Sequence, residues 1–332
     1  MTSHRGRMVS PGQVENRSRH PLAACAVAIL VSLAIGCAGH APGPAGERTI
    51  GQVNVVPDFL TAWDALRTAP RAEQLARTRE ALLATHAELF GPEVFGPTFV
   101  LDRDLERLLV EMPRLEPKLR ALSERMPGEV ERTARRFLDE FPELDWSGPV
   151  ALSLSFSQFE AVWRTVKGHR TLVLGLDTIA YYRGPYAPVE PVVHHALAAA
   201  LLPPWAGPGP APLWWAVWEA GFPLAAVRTL DPGASDADLR LPDEGRDPAV
   251  LAALARRVRG VLDSTREQDR RALLGGPGAG PAGQTGAGRW LALRVAQKVL
   301  AGRSLHDAAR LTGPQLRSAV ESVLLALERP GS

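Results

Sequence analysis

Cysteine is almost absent from this chain of 332 residues, which has only Cys25 and Cys37. Cys25 lies inside an apolar run near the amino terminus, and Cys37 ends that run. If the run is removed during export, a single thiol remains. The sequence therefore excludes a disulfide framework in the rest of the chain.

Two common signatures of catalysis and phosphate binding are also missing. The chain has no G-x-S-x-G segment, which would indicate the nucleophile elbow of an α/β-hydrolase. It has no G-x-x-x-x-G-K-[ST] segment either, so the glycine-rich residues 274–289 do not form a phosphate-binding loop of that type. Their sequence, LGGPGAGPAGQTGAGR, offers little to bury and predicts a flexible surface loop.

An excess of positive charge is missing once the first 36 residues are set aside. The whole chain has 38 basic and 36 acidic residues, and four arginines and one glutamate lie within residues 1–36. The remaining chain therefore has 34 basic and 35 acidic residues. Such a chain has no basic field to attract DNA or RNA, and we expect no nucleic-acid partner.

Residues 1–36 have the pattern of an export signal. Four arginines precede the apolar run PLAACAVAILVSLAIGC, which is short for a membrane-spanning helix. The end of this run, AIGC, resembles the bacterial lipoprotein signal, in which small residues precede a lipidated cysteine. The resemblance implies cleavage after residue 36 and a lipid on Cys37. An uncleaved anchor helix is the alternative.

A lipidated Cys37 would hold the protein in the cell envelope, outside the cytoplasm. Residue 38 is alanine rather than aspartate, which by analogy with lipoprotein sorting favours the outer membrane, with the domain facing the periplasm. Residues 37–52 are rich in glycine, proline and alanine and predict a flexible tether. We therefore expect contact with the membrane through the lipid and a protein partner in the envelope.

Residues 53–328 have the periodicity of one α+β domain, predominantly α-helical with a small central β-sheet. Apolar residues recur at helical spacing from PDFLTAWDALRTA to EVERTARRFLDEF. The segments GPVALSLSFS and HRTLVLGLDTIA then predict two strands. Helical patterns resume at VEPVVHHALAAALL and continue to PQLRSAVESVLLALE, and SLHD, beginning at Ser304, has the pattern of a capping box.

The segment EPVVHHALAAALLP has two adjacent histidines on a predicted helix. In a zincin, the motif His-Glu-x-x-His has two ligands one helical turn apart and a carboxylate base between them. Here His194 occupies the first ligand position, His195 the base position and Ala198 the second ligand position. Alanine cannot bind a metal, and a histidine at the base position supplies no anionic proton acceptor.

Glu219 lies in the next predicted helix, LWWAVWEAGFPLAAVRTL, where a zincin would supply its third ligand. Several tryptophans surround it in the sequence. A carboxylate in such surroundings is costly to bury without a partner. We therefore expect Glu219 to be paired with His194.

The order of these segments resembles the zinc-dependent peptidase family related to gliding-motility lipoprotein B (GldB). The matching segments are LVLGLDTIAYY, the HH helix, the W-E-A-G helix and GRWLALRVAQKVLAGRSLHDAARL, within residues 55–325. The resemblance implies a zincin-like fold. It also implies that His194 and Glu219 match metal ligands and that Asp177 matches the aspartate that closes the LGLD segment.

The departures from the family pattern predict a degenerate site without peptidase activity. With only His194 and Glu219 left as ligands, zinc would bind weakly, so we expect no cofactor and no catalytic residue. The predicted function is that of a structural or partner-binding envelope component. The alternative is an active zinc-dependent hydrolase that uses His194, His195 and Glu219 with an unconventional metal site.

Each of these residues also has an ordinary explanation. A histidine pair on a helix is more often hydrogen-bonded than bound to metal, and His195 could simply face solvent. Asp177 could cap the turn that follows it. The tryptophans near Glu219 are typical of core packing.

The lipoprotein prediction is tested at Cys37. The wild-type protein should incorporate labelled fatty acid and partition into detergent, whereas Cys37→Ser should accumulate as the uncleaved precursor. Cys25→Ser is the matched control, because Cys25 lies inside the segment that is removed. Unchanged processing and labelling of Cys37→Ser would show that Cys37 is not the lipidated residue.

Overall fold

The computed structural model describes residues 50–274 and 286–329, and all of them belong to one compact unit. The elements up to the end of the sheet are, in chain order, β1 (Gln52–Asn54), α1 (Val56–Leu66), α2 (Arg71–His86), α3 (Pro92–Phe95), α4 (Leu101–Glu140), β2 (Val150–Ser153), β3 (Ala161–Val166) and β4 (His169–Gly175). After the sheet come α5 (Leu176–Tyr182), α6 (Glu190–Leu201), α7 (Leu213–Leu230), α8 (Pro248–Gly260), α9 (Glu267–Leu274), α10 (Gly286–Leu300), α11 (Leu305–Ala309) and α12 (Gly313–Leu327). The predicted α+β class, predominantly helical with a small sheet, is confirmed.

Several predictions from the sequence fall outside these residues. The leader (1–36), Cys37 and most of the tether are not among the described residues. Neither are residues 275–285, which make up most of the predicted glycine-rich loop. At the two ends of that segment, Leu274 is the last residue of α9 and Gly286 is the first residue of α10.

The sheet is mixed and has the strand order β1-β2-β4-β3. β2 lies parallel to both β1 and β4, whereas β3 is antiparallel to β4. The two predicted strands, β2 and β4, occupy the central positions, where continuous apolar runs are buried on both faces. The sequence does not predict β1, which has only three residues, or β3, which is partly exposed and carries a charged residue.

Helix α4 unites segments that the sequence predicts as separate helices. Its 40 residues include Pro113, Pro117 and Pro127, and an internal proline normally removes one backbone hydrogen bond. The helix continues because one face is buried along its length, from Leu105 to Leu138. Packing of this face compensates for the destabilising effect of the prolines on the helix.

Helix α7 is buried on nearly every side. All of its residues from Leu213 to Trp218 and from Gly221 to Val227 are buried, and both α6 and α10 pack on it. A helix that is apolar all round is expected in the centre of a domain. None of the described helices, α7 included, combines the length and apolar character needed to cross a membrane.

The predicted capping box at the start of α11 is confirmed. The hydroxyl of Ser304 accepts a hydrogen bond from the backbone N–H of Asp307 at 3.1 Å. The same hydroxyl lies 2.7 Å from the Asp307 carboxylate, to which it donates. Both bonds lie within the first turn of the helix, where backbone N–H groups have no partner in the helix itself.

The contact between α7 and α10 predicts a large effect of a small substitution. A Cβ atom added at Gly221 would lie 2.1 Å from the carbonyl oxygen of Ala292. Gly221→Ala should therefore force α10 to move and lower the free energy of unfolding by about 3 kcal/mol. The measurement is urea denaturation of the chain that begins at Glu47.

Gly260→Ala is the matched control for this substitution. Gly260 ends α8, and no atom lies within 4 Å of a Cβ atom added there. The free energy of unfolding should change by less than about 1 kcal/mol, because alanine also favours the helical conformation. Equal losses in the two variants would contradict close packing of α7 on α10.

Candidate functional site

His194 is held by a carboxylate from the end of the neighbouring helix. It lies on α6, which packs on α4 and α7, and 12% of its side chain is exposed. Its Nδ1 atom lies 2.6 Å from Oδ2 of Asp231, so the ring donates its Nδ1 hydrogen to the carboxylate. Asp231 directly follows α7, and this hydrogen bond therefore joins the two helices that carry the predicted site.

His195, at the position of the zincin base, is partly buried beside two arginine side chains. Burial, followed by the positive charges of Arg289 and Arg183, lowers the pKa of His195 from 6.5 to about 3. The imidazole is therefore neutral at physiological pH and accepts a proton only weakly. Such a group is a poor replacement for the glutamate that takes a proton from metal-bound water.

The arginines near His195 belong to a network around Glu160. Arg183 donates two hydrogen bonds to the Glu160 carboxylate, with lengths of 2.7 and 2.8 Å. Arg240 lies 3.6 Å from the same carboxylate, and its guanidinium group lies 4.2 Å from the centre of the Tyr182 ring. The Glu160 carboxylate therefore interacts with at least two guanidinium groups.

Arg289 adds a third guanidinium group to these surroundings. It donates a 3.0 Å hydrogen bond to the carbonyl oxygen of Leu239. Burial and the nearby charge of Arg240 lower the pKa of Arg289 to about 10, at which it still carries a full charge at neutral pH. The positive charge around His195 opposes the binding of a metal cation at this position.

The other two expected ligand positions do not complete a metal site. Ala198 is fully buried, one turn beyond His194 in α6. Glu219 has half of its side chain exposed, and its Oε2 accepts a 3.0 Å hydrogen bond from Arg270 of α9. The prediction that Glu219 is buried against His194 is therefore wrong.

The position of Glu219 has a physical cause in α7. Between Leu213 and Val227, only Glu219 and Ala220 are exposed. Successive residues of a helix point in different directions, so tryptophans adjacent in the sequence need not surround the carboxylate in space. The charged side chain occupies the one exposed stretch in the middle of the helix and there forms an ion pair with Arg270.

These residues do not fit a zinc site as they stand. Within residues 50–274 and 286–329, no group of three histidine, cysteine, aspartate or glutamate side chains is arranged to bind a metal ion. His194 has a carboxylate on Nδ1, as zinc-bound histidines usually do, but it lacks companion ligands. The expected absence of zinc remains a prediction for direct measurement.

Asp177 is buried at the start of α5, directly after β4. Its carboxylate accepts hydrogen bonds from the backbone N–H groups of Ser155 at 2.6 Å and Ser157 at 3.1 Å, and from the Ser155 hydroxyl at 3.1 Å. Burial nevertheless raises the pKa of Asp177. These bonds hold the loop after β2, in which Phe156 and Ser157 have positive φ angles.

A small cavity of about 210 Å³ lies beside Asp177 and is partly lined by α4. Asp104, Arg107, Glu111 and Tyr181 contribute to its wall. Arg107 lies 3.3 Å from Asp104, so part of the negative charge in the wall is neutralised. The α4 residues were missed because, in the sequence, they have the same pattern as a solvated helix face.

The residues that surround the two histidines could not be identified from the sequence. Asp231 lies in the segment LDPG after α7, where an aspartate followed by proline and glycine is typical of an ordinary turn. Arg183 and Arg289 come from separate helical segments on opposite sides of α6 in the sequence. Only the fold brings them to His195, and no local pattern could have indicated it.

The lowered pKa of His195 makes the stability of the protein depend on pH. In the unfolded chain His195 takes up a proton near its ordinary pKa of 6.5, whereas the folded protein keeps it neutral down to about 3. The unfolded state therefore binds more protons in this window. The contribution of His195 should lower the free energy of unfolding by up to about 1.4 kcal/mol for each pH unit below 6.5.

Urea denaturation at several pH values between 7 and 4 measures this contribution. His195→Gln should make the fall in stability with decreasing pH less steep than in the wild type. His169→Gln is the control, since His169 is exposed on β4, and it should keep the wild-type slope. Identical slopes for wild type and His195→Gln would contradict a histidine held neutral by its surroundings.

Comparisons with known proteins leave the family of the chain open. No family model matches the sequence, and no curated protein and no solved structure is significantly similar to it. The resemblance to the GldB-related family therefore stays a prediction. The geometry around His194 and His195 is the basis for the function proposed below.

Proposed function

We propose that the protein is a lipid-anchored component of the cell envelope whose zincin-like domain has no peptidase activity. In this proposal the domain serves as a structural or partner-binding module and faces the periplasm from the outer membrane. The leader pattern and Cys37 support the anchor. The near-neutral charge of the chain after residue 36 supports a protein partner rather than a nucleic acid.

The observation that carries the proposal is the state of the three ligand positions. A catalytic zinc is held by three protein ligands and keeps one position for water. Of the three expected positions, Ala198 has no donor atom and Glu219 is paired with Arg270. His194 alone retains a side chain in a position to bind, which is too few ligands for a stable zinc site.

The elements around His194 support the zincin-like part of the proposal. A mixed sheet is followed by α6 with the two histidines and then by α7 with Glu219, in the order that the family resemblance implies. Asp231 receives the Nδ1 hydrogen of His194, as carboxylates do for many zinc-bound histidines. This arrangement would leave the Nε2 atom for a metal if further ligands were present.

An active zinc-dependent hydrolase with an unconventional site is the second candidate. The contact between Asp231 and His194 favours it, because a carboxylate on Nδ1 fixes the tautomer and the orientation of the imidazole. That mechanism would also need His195 as the base. A pKa of about 3 for His195 and the arginines beside it disfavour this role, so we place the inactive domain first.

Zinc content separates the two candidates. After dialysis against zinc and then against metal-free buffer, the wild-type chain from Glu47 onward should hold clearly less than one zinc per chain by mass spectrometry. It should not cleave peptides. Ala198→His restores a histidine one turn from His194, yet zinc should stay substoichiometric because Glu219 remains paired with Arg270.

Two variants control this measurement. Ala199→His adds a histidine at the next, partly exposed position of α6, which points away from the expected site, and should behave like wild type. His194→Ala removes the one remaining ligand. One zinc per wild-type chain that is lost in His194→Ala would reject the inactive domain and favour the hydrolase.

A further inference from the structure

A second candidate site lies apart from the His-His helix. It is a cavity of about 580 Å³ between the carboxyl end of α7, the segment that connects α7 to α8, and α10, and its volume is within the range of small-molecule sites. Its wall includes Arg228, Asp236, Arg246, Trp290 and Arg294. None of these residues has a part in the function proposed above.

The charge in the cavity wall is unbalanced. Asp236 accepts hydrogen bonds from both Arg228 and Arg246, so one carboxylate serves two guanidinium groups. Among the described residues, no carboxylate pairs with Arg294, whose guanidinium group lies 5.6 Å from the centre of the Trp290 ring. Three arginines facing one aspartate leave an excess of two positive charges.

Hydrogen bonds to the backbone hold this wall in place. Nε1 of Trp290 donates to the carbonyl oxygen of Pro242 at 2.8 Å, and Arg228 donates to the carbonyl oxygen of Ala234. The connecting segment is thus fixed to both α7 and α10. The guanidinium group of Arg246 lies 5.5 Å from the Trp290 ring, so two cations gather around one aromatic side chain before any ligand binds.

The residues of the cavity wall favour a phosphomonoester over a single carboxylate. Guanidinium groups bind carboxylate and phosphate oxygens through paired N–H donors. A phosphomonoester carries about −1.5 to −2 charges at neutral pH, which matches the excess of positive charge better than a single carboxylate does. Asp243 lies 3.5 Å from Arg246 but is strongly exposed, so solvent screens its charge.

We propose that this arginine cavity binds the phosphomonoester group of a small organic molecule or of a lipid headgroup. Arg294 supplies the guanidinium group that no described carboxylate neutralises, and Gln297 adds an amide donor. The cavity is larger than a phosphate group. The remaining volume accommodates the organic part of the ligand beside Leu293.

Isothermal titration calorimetry on the full-length protein in a neutral detergent tests this site. Glycerol 3-phosphate is the soluble probe and dihexanoyl phosphatidic acid is the lipid probe. At least one of them should bind saturably, one molecule per chain, and acetate should bind about tenfold more weakly or not at all.

Arg294→Gln should weaken binding by about tenfold, because a charge-assisted hydrogen bond is lost. Comparable affinities for the two probes indicate a soluble ligand, and much tighter binding of phosphatidic acid indicates a lipid headgroup.

Arg257→Gln is the matched control, because it removes the same charge from an exposed position on α8 outside the cavity. It should bind the probes like wild type. Arg294→Lys keeps the charge without the paired donors and should have an intermediate affinity. Circular dichroism verifies that the variants are folded. The proposal is overturned by an absence of saturable binding of both probes, by equal weakening in Arg257→Gln, or by acetate binding as tightly as the phosphomonoesters.

Discussion

The burial of α7 is the constraint on which the rest of the structure depends. Because this helix is almost wholly apolar, α6 and α10 must cover it, and Gly221 lets α10 approach until not even a methyl group would fit. Each candidate site includes a residue from the carboxyl end of α7. Asp231, directly after the helix, binds His194, and Arg228, in its last turn, binds Asp236. The packing of one apolar helix therefore determines where two groups of polar residues meet.

Arginine side chains then determine the chemical character of this region. The segment between α7 and α8 has little regular structure, and its carbonyl oxygens accept hydrogen bonds from Arg183, Arg228 and Arg289. Each bond satisfies a backbone acceptor that no helix or strand satisfies. Burial, together with the positive charges of Arg289 and Arg183, keeps His195 neutral, and these charges oppose a metal cation.

Periodicity in the sequence was sufficient to predict the elements whose burial is uniform or one-sided, such as α6, α7, α10 and the two central strands. It was insufficient for β1 and β3, whose strand conformation depends on pairing with neighbours more than on their own residues. Glu219 was misplaced for a related reason, since its neighbours in the sequence are not its neighbours in space. Asp231 and Arg289 reach the histidines only through tertiary packing, which leaves no periodic signal in the chain.

His194 has a structural role that requires no metal. Asp231 lies at the carboxyl end of α7, where its N–H is bonded to the carbonyl oxygen of Val227 at 2.7 Å and where the helix dipole makes a further negative charge unfavourable. The His194 ring donates to this carboxylate and lies 6.0 Å from the Phe137 ring, so it offsets the unfavourable charge within a largely buried contact. The pair of His194 and Asp231 would keep this stabilising role even if a metal ligand at position 198 had been lost. The oriented histidine is therefore compatible with both an ancestral zinc site and a purely structural contact, and the number of companion ligands, rather than the orientation of the ring, distinguishes a working site from a vestigial one.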